Sequence, residues 1–317
     1  MSVIYFLVQQ TMFFSIPLLI VALGGMFSER GGVVNIALEG IMTIGAFSGI
    51  LFINTFQASL PGQPVLIIAI LIAALSGAIL SLAHAYASIN MKADQIISGT
   101  AINLFAPAFV IYVARMIRTV QQVPFENQFR IDSVPGLGSI PVLGPLLFQN
   151  TYITTYLGFI ILASSWCVLN NTRFGLRLRA CGEHPQAADS VGVNVYKMRY
   201  AGVVISGALA GVGGLVFVVP TSTNFDATVS GYGFLALAVL IFGQWNPIRI
   251  LGAAFFFGLM KAVSAAYTGI PFLVSVPIHS SVYKMIPYLA TLIVLAFMSK
   301  NSQAPRAAGI PYDKGTR

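Results

Sequence analysis

The chain has 317 residues, 57% of them hydrophobic and only 8% charged, with a net charge of +8, whereas a soluble domain carries roughly 45–50% apolar and about 25% charged residues. A water-soluble multidomain protein is excluded, and an all-α polytopic integral membrane helix bundle is expected in its place. The positive charge gathers in a few short loops and the tail, as Lys and Arg do on the inner side of a membrane, so no nucleic-acid partner is expected and the lipid bilayer is the first one.

Crossing a hydrocarbon core of about 30 Å takes ~20 helical residues. Apolar windows of that kind fall at 3–27, 33–53, 65–90, 96–117, 152–169, 200–219, 231–242, 248–267 and 282–298. They predict about 9 (8–10) transmembrane segments in a single domain over 1–298, with a basic loop at 170–199 and a tail at 299–317. Two windows are irregular. The second holds Asn35 and Glu39, and 231–242 is short with glycine at its ends; such interruptions point to broken helices lining a pathway. The opening "MSVIYFLVQQ" has no basic region and no small-residue cleavage site, so the first span is expected to be retained.

The basic residues orient the bundle. Arg173, Arg177, Arg179, Lys197 and Arg199 in the loop, and Lys300, Arg306, Lys314 and Arg317 in the tail, predict that both are cytoplasmic. Four spans between them satisfy this if 231–242 counts as a crossing. Counting backwards puts Lys92 inside, and 119–151 and the N-terminus outside, although Arg115, Arg118 and Arg130 run against that assignment. The stretches "GGVVNIALEGIMTIGAF" and "GYGFLALAVLIFGQWNP" share a loose pattern, which leaves an inverted repeat and a chance likeness both open.

Glu39 is the most informative position, because a charge at mid-bilayer costs at least ~2.5–3.5 kcal/mol. A helix starting near Val33 would align Asn35, Glu39, Met42 and Ala46 on one face. That face either lines a solute path, or Glu39 pairs with Arg30 or caps neighbouring backbone. Asp94 reads as a helix cap, and Asn103 as a bond either to a ligand or to a neighbouring helix. Asn224, Phe225 and Asp226 offer polar edges beside an aromatic plane, or a simple turn. The glycine pairs Gly45/Gly49 and Gly207/Gly211 permit close helix approach.

Enzyme chemistry finds no foothold. His84, His184 and His279 lie far apart with no HExxH, the five Asp residues form no DxxD or DxxxD, and no GxxxxGK[ST] is present. Cys167 and Cys181 have neither metal-ligand nor disulfide spacing and read as packing residues. No catalytic residue, metal or bound cofactor is expected, and ATP-driven work would fall to a partner. In the basic loop, "PQAADSVG" reads as a two-turn helix between irregular basic flanks, begun by Pro185 and ended by Gly192. Its small apolar face of Ala187, Ala188 and Val191 suits either docking in a protein groove or lying on lipid headgroups.

The blocks "ERGGVVNIALEGIMTIGAF", "ADQIISGTAINLF", "TRFGLRLRACGEHPQAADSVGVNVYKMR" and "GYGFLALAVLIFGQWNPIRILGAAFFFGLM" together resemble the permease subunits of ABC importers for simple sugars and branched-chain amino acids, most closely the nucleoside branch, over roughly 29–298. The resemblance implies a transport subunit in the bacterial cytoplasmic (inner) membrane, with nucleosides as substrate and ribose-like sugars or branched-chain amino acids as alternatives. An ATP-independent secondary transporter is more remote. It further implies a heterodimer with a second homologous permease, an ABC ATPase that uses ATP and Mg, and an extracytoplasmic binding protein or lipoprotein. The family's coupling helix maps onto Glu183, His184, Pro185, Ala187, Ala188, Asp189 and Gly192, which favours docking over lipid contact; His184 stands where many relatives carry Asn. Asn35, Glu39, Asn103, Asn224 and Phe225 would face the solute.

Overall fold

A computed structural model describes residues 2–267, 280–298 and 303–315. His279, Lys300 and Arg317 lie outside the described residues. Every apolar window holds a helix. The helices are α1 (Ser2–Arg30), α2 (Leu38–Phe56), α3 (Gln63–Ala85, extended by a π-turn over Tyr86–Asn90), α4 (Gln95–Arg118), α5 (Ile153–Asn171), α6 (Arg173–Glu183), α7 (Pro185–Ser190), α8 (Val195–Thr221), α9 (Tyr232–Phe242), α10 (Pro247–Ala266) and α11 (Ser280–Met298). Seven of them are long and apolar enough to cross a membrane, and α9 is a shorter apolar helix. The chain is therefore a multi-pass, all-α membrane bundle.

Of the membrane-length helices α8 is the most buried, and it packs against α1, α2 and α3. Small residues make this possible. A Cβ at Gly45 would overlap the backbone of Gly211, and one at Gly211 would overlap the Ala73 carbonyl, so both glycine pairs mark close crossings. The outer surface is apolar where a soluble protein would be polar: Leu71, Leu75 and Ile79 of α3, and Leu104, Tyr112 and Met116 of α4, are all exposed.

At one end lie α6, α7 and residues 303–315; we call it the basic end. Here the loop departs from expectation. Residues 173–183 are helical, begun by the Thr172 hydroxyl accepting from Gly175 N at 3.1 Å. At the opposite end, β1 (Val123–Pro124) pairs with β4 (Asn224–Phe225), and β2 (Arg130–Ser133) pairs with β3 (Gln149–Tyr152), both antiparallel. Gln9 near the start of α1 donates to the carbonyls of Pro145 and Gln149, so the N-terminus shares that end with residues 119–151.

Two helices are broken. Helix α2 starts at Leu38, not near Val33, because residues 31–37 are irregular. Asn35 therefore precedes the helix instead of sharing its face. Helix α9 has 11 residues, ~16 Å at 1.5 Å per residue. That is about half the thickness of a hydrocarbon core.

Candidate functional site

The two helix starts meet inside the bundle, and Glu39 joins them. Its Oε1 accepts from Gly231 N at 2.8 Å and its Oε2 from Gly233 N at 2.6 Å. These are free amides of the α9 N-terminus, where the helix dipole favours an anion. Each bond to a charged group contributes ~1.5–3 kcal/mol net, so two of them offset an insertion cost of ~2.5–3.5 kcal/mol. Gly233 is required by the closeness of this contact, since a Cβ there would strike the Glu39 backbone. Arg30 is elsewhere: its Nη1 lies 3.9 Å from Glu183 and its Nη2 donates to the Trp245 carbonyl at 3.0 Å. Capping of backbone, not pairing with Arg30, is thus the contact Glu39 makes.

Irregular backbone inside a membrane must find its hydrogen bonds within the protein, and residues 31–37 find them on three neighbouring helices. Val34 N donates to Gln95 Oε1 at 2.7 Å, and His84 Nε2 lies 3.0 Å from the Val34 carbonyl. A carbonyl only accepts, so Nε2 carries the proton and Nδ1 accepts from Ser98 Oγ at 3.1 Å. Asn103 spans the break, its Nδ2 donating to the Ile36 carbonyl at 2.8 Å and its Oδ1 accepting from Gly40 N at 2.7 Å. Asn35, fully buried, accepts from Ala37 N and donates to Ser206 Oγ at 2.9 Å. Glu39, Asn35 and Asn103 are thus brought together around one junction.

Asn224 and Phe225 sit apart from those three, in β4. Phe225 is buried with its ring 6.5 Å from Phe47, whereas Asn224 is exposed. Both line a cleft of about 240 Å³ with Phe217, Asp226, Thr228 and Ser230. The cleft is linked to the junction through Tyr232, in the first turn of α9, whose ring meets that of Phe217 at 4.0 Å, tilted by 32°. The buried Tyr232 hydroxyl has no hydrogen-bond partner among the described residues. Lys261 Nζ lies 5.4 Å from the Tyr232 ring centroid and 5.2 Å from that of Tyr288. Lys261 in "FFFGLMKAVSAAY" and His84 in the window 65–90 were both legible by the cost argument applied to Glu39, and Gln95 stood beside Asp94 and Asn103 at a span entrance.

At the basic end, α7 begins at Pro185, and Gly192 follows it with φ +84°. The small apolar face divides. Ala188 is only 4% exposed and packs inward with Cys181, Val195 and Tyr312. Ala187 and Val191 face outward, Val191 at 78% exposure, beside exposed His184 and half-buried Glu183 and Asp189. Asp94 caps α4 as expected, accepting from Ile96 N and Ile97 N. Among the described residues, no group of His, Cys, Asp and Glu side chains has the arrangement of a metal site.

A membrane bundle in which two broken helices meet end to end beside a polar cleft is the architecture of a transmembrane permease. The family model described as branched-chain amino acid transport system / permease component matches residues 7–296, and the chain belongs to that family. It is 44% identical to guanosine ABC transporter permease protein NupQ of Bacillus subtilis (strain 168), over 100% of this chain and 99% of the relative. It is 43% identical to nucleoside ABC transporter permease protein NupC of Lactococcus lactis subsp. cremoris (strain MG1363), over 97% and 96%. The same B. subtilis strain also has guanosine ABC transporter permease protein NupP, 24% identical over 90% of this chain and 78% of the relative. The L. lactis strain likewise has nucleoside ABC transporter permease protein NupB, at 22% over 95% and 84%. No solved structure matches the chain.

Proposed function

We propose that the chain is one of two unlike permease subunits of an ATP-driven nucleoside importer in the bacterial cytoplasmic membrane, with its basic end in the cytoplasm. The observation that carries this reading is the full-length similarity to relatives named for guanosine and for nucleosides. An ATPase partner binds ATP and Mg²⁺ and docks on the outward face of α7, while an extracytoplasmic binding protein delivers solute. Asn224 and Phe225 meet the solute in the cleft, where an aromatic plane and hydroxyl, amide and carboxylate edges suit a nucleobase. Asn35, Glu39 and Asn103 form the floor beneath it and hold the two half-helices. Of the seven coupling residues, Glu183, His184, Pro185, Ala187, Ala188, Asp189 and Gly192, the outward ones contact the partner and the inward ones seat the helix. ATP-driven closure of the partner shifts the bundle between outward-open and inward-open states by its differential affinity for the two.

The test is uptake of radiolabelled guanosine in a strain lacking the chain and complemented by it, with other nucleosides, ribose, glucose and leucine as competitors. Competition by nucleosides is the expected result, and competition by leucine alone overturns the substrate reading. Uptake that persists without the ATPase overturns the ATP-driven one. A sugar importer is the second reading, favoured by 31% identity over 92% of this chain to putative glucose ABC transporter permease protein TsgC13 of Haloferax volcanii; competition by glucose or ribose with none by nucleosides would establish it. For docking, Val191→Arg leaves the inner packing of α7 untouched and should abolish uptake while the chain stays in the membrane. Normal uptake in that variant removes the docking reading.

A further inference from the structure

Residues 303–315 cross the basic end as a strap. Gln303 N donates to Gln244 Oε1 at 2.8 Å in the turn after α9, and Ala307 N donates to the Gly182 carbonyl at 2.8 Å at the end of α6. Tyr312 fills the pocket formed by Cys181, Ala188 and Val195 and meets Tyr196 edge-on at 5.6 Å. Asp313 Oδ2 takes Lys92 Nζ at 2.7 Å in the turn between α3 and α4, and Lys314 Nζ lies 3.8 Å from Asp189 of α7. The strap thus touches α7 and four other parts of the bundle: α6, α8, the turn after α9 and the turn between α3 and α4.

Arg199 is the piece that gives these contacts a direction. It is 1% exposed, a burial that arginine rarely tolerates without a paired carboxylate, and no carboxylate among the described residues pairs with it. Its Nη1 donates to the Ile310 carbonyl of the strap at 3.0 Å, and its guanidinium stands 6.0 Å over the Tyr312 ring. Its Nε and Nη2 have no hydrogen-bond partner among the described residues. Nη2 abuts Gly32, where an added Cβ would lie 2.8 Å from it and 3.3 Å from the Ala307 carbonyl. Gly32, at φ +93°, is the second residue of the irregular segment that runs to Glu39. On its other side, Gly182 packs so closely on Arg30 and Gly32 that a Cβ there would overlap the Arg30 carbonyl. Thus α6 and α7, the strap and Arg199 enclose the start of the segment that leads to the junction.

We propose that the strap is a second coupling element, in which Tyr312 and Arg199 act as positioning residues that carry displacement of α7 to Gly32 and so to the junction of the half-helices. A continuous set of contacts does not by itself establish coupling, so the test reads coupling directly. It rests on the reading of α7 as the ATPase dock.

The experiment uses the complete transporter, with both permeases, ATPase and binding protein, in liposomes, measuring ATP hydrolysed and solute taken up in the same sample. Tyr312→Ala should leave assembly and ATP hydrolysis in place while uptake per ATP falls about tenfold, the size of a typical coupling between sites. Lys92→Asp should lower the same ratio, and Lys92→Asp with Asp313→Lys should restore it, a rescue that a merely structural loss of the tail would not predict. Release of the strap is read independently at Cys181, in a Cys167→Ser background. Burial pushes the Cys181 thiol up to about 11, so little thiolate is available to a maleimide at pH 8. Uncovering it should return the thiol toward its ordinary value and speed labelling on the order of a hundredfold. Unchanged uptake per ATP with Cys181 uncovered overturns the proposal. If Tyr312→Ala does not assemble, the charge-swap series decides, and three equal ratios overturn it. Val191→Arg keeps the strap intact, so normal hydrolysis and uptake there refute the docking reading alone.

Discussion

The two broken segments solve one problem in opposite ways. Residues 31–37 are clamped: their backbone groups are taken up by His84, Gln95 and Asn103 from α3 and α4, while Asn35 holds Ser206 of α8. Residues 222–231 are held by their own side chains and by the short outer segment 123–125, whose Phe125 N donates to the Thr223 carbonyl. Ser222 Oγ donates to the Asn224 carbonyl, Ser230 N donates to Thr228 Oγ1, and β4 pairs with β1, leaving Glu39 as the bond from the bundle interior. Ala227 and Ser230 even adopt positive φ, at 58° and 55°. A clamped segment resists movement because several helices would have to give way together. A self-held segment beside a 240 Å³ cleft moves at the expense of few bonds.

The strongest way to break this comparison is Asn103→Ala. It strands the Gly40 amide and the Ile36 carbonyl, at about 1–3 kcal/mol each, a large share of a typical net stability of 5–15 kcal/mol. Loss of folded protein from the membrane and a lowered melting midpoint in detergent are expected; wild-type abundance and melting would show that the clamp bears no weight.

Glu39→Gln should be milder, at about 2–3 kcal/mol, because one acceptor remains while the charge and one bond are lost. The chain should still assemble, with faster hydrogen exchange at the amides of Gly231 and Gly233 and reduced uptake. Unchanged exchange would mean that α9 does not depend on the carboxylate. Assembly with normal exchange but no uptake would instead favour direct contact with solute.

The smallest effect is expected in the self-held segment. Ala227→Gly relieves a left-handed residue worth ~1–2 kcal/mol against a glycine entropy cost of ~0.5–1 kcal/mol. Thermal melting should stay within about 1 kcal/mol of the parent. A large loss would show that 222–231 is held as rigidly as 31–37, and the contrast between them would fail.

Much of this was legible before folding. The apolar windows located every membrane-length helix, Asn35, Glu39 and the flanking glycines of 231–242 located both breaks, and Pro185 and Gly192 bounded α7, whereas α6, over residues 173–183, lay in a stretch read as irregular loop. The errors were those of local reasoning. Helix α2 starts five residues later than Val33, because tertiary hydrogen bonds override the apolar run. The face of α7 was read as one surface although Ala188 points inward and Val191 outward.

Hydrophobicity and helical period are properties of neighbours along the chain, so the sequence by itself determined a polytopic bundle, its spans and the places where those spans could not remain regular. What satisfies a buried polar group depends on which distant segment arrives beside it. Glu39 meets an amide 192 residues away, and Arg199 meets a carbonyl 111 residues away. Only the tertiary structure could decide that the carboxylate caps a half-helix, and that the tail straps α7 to the start of the other break, because both facts depend on packing geometry that no local pattern encodes.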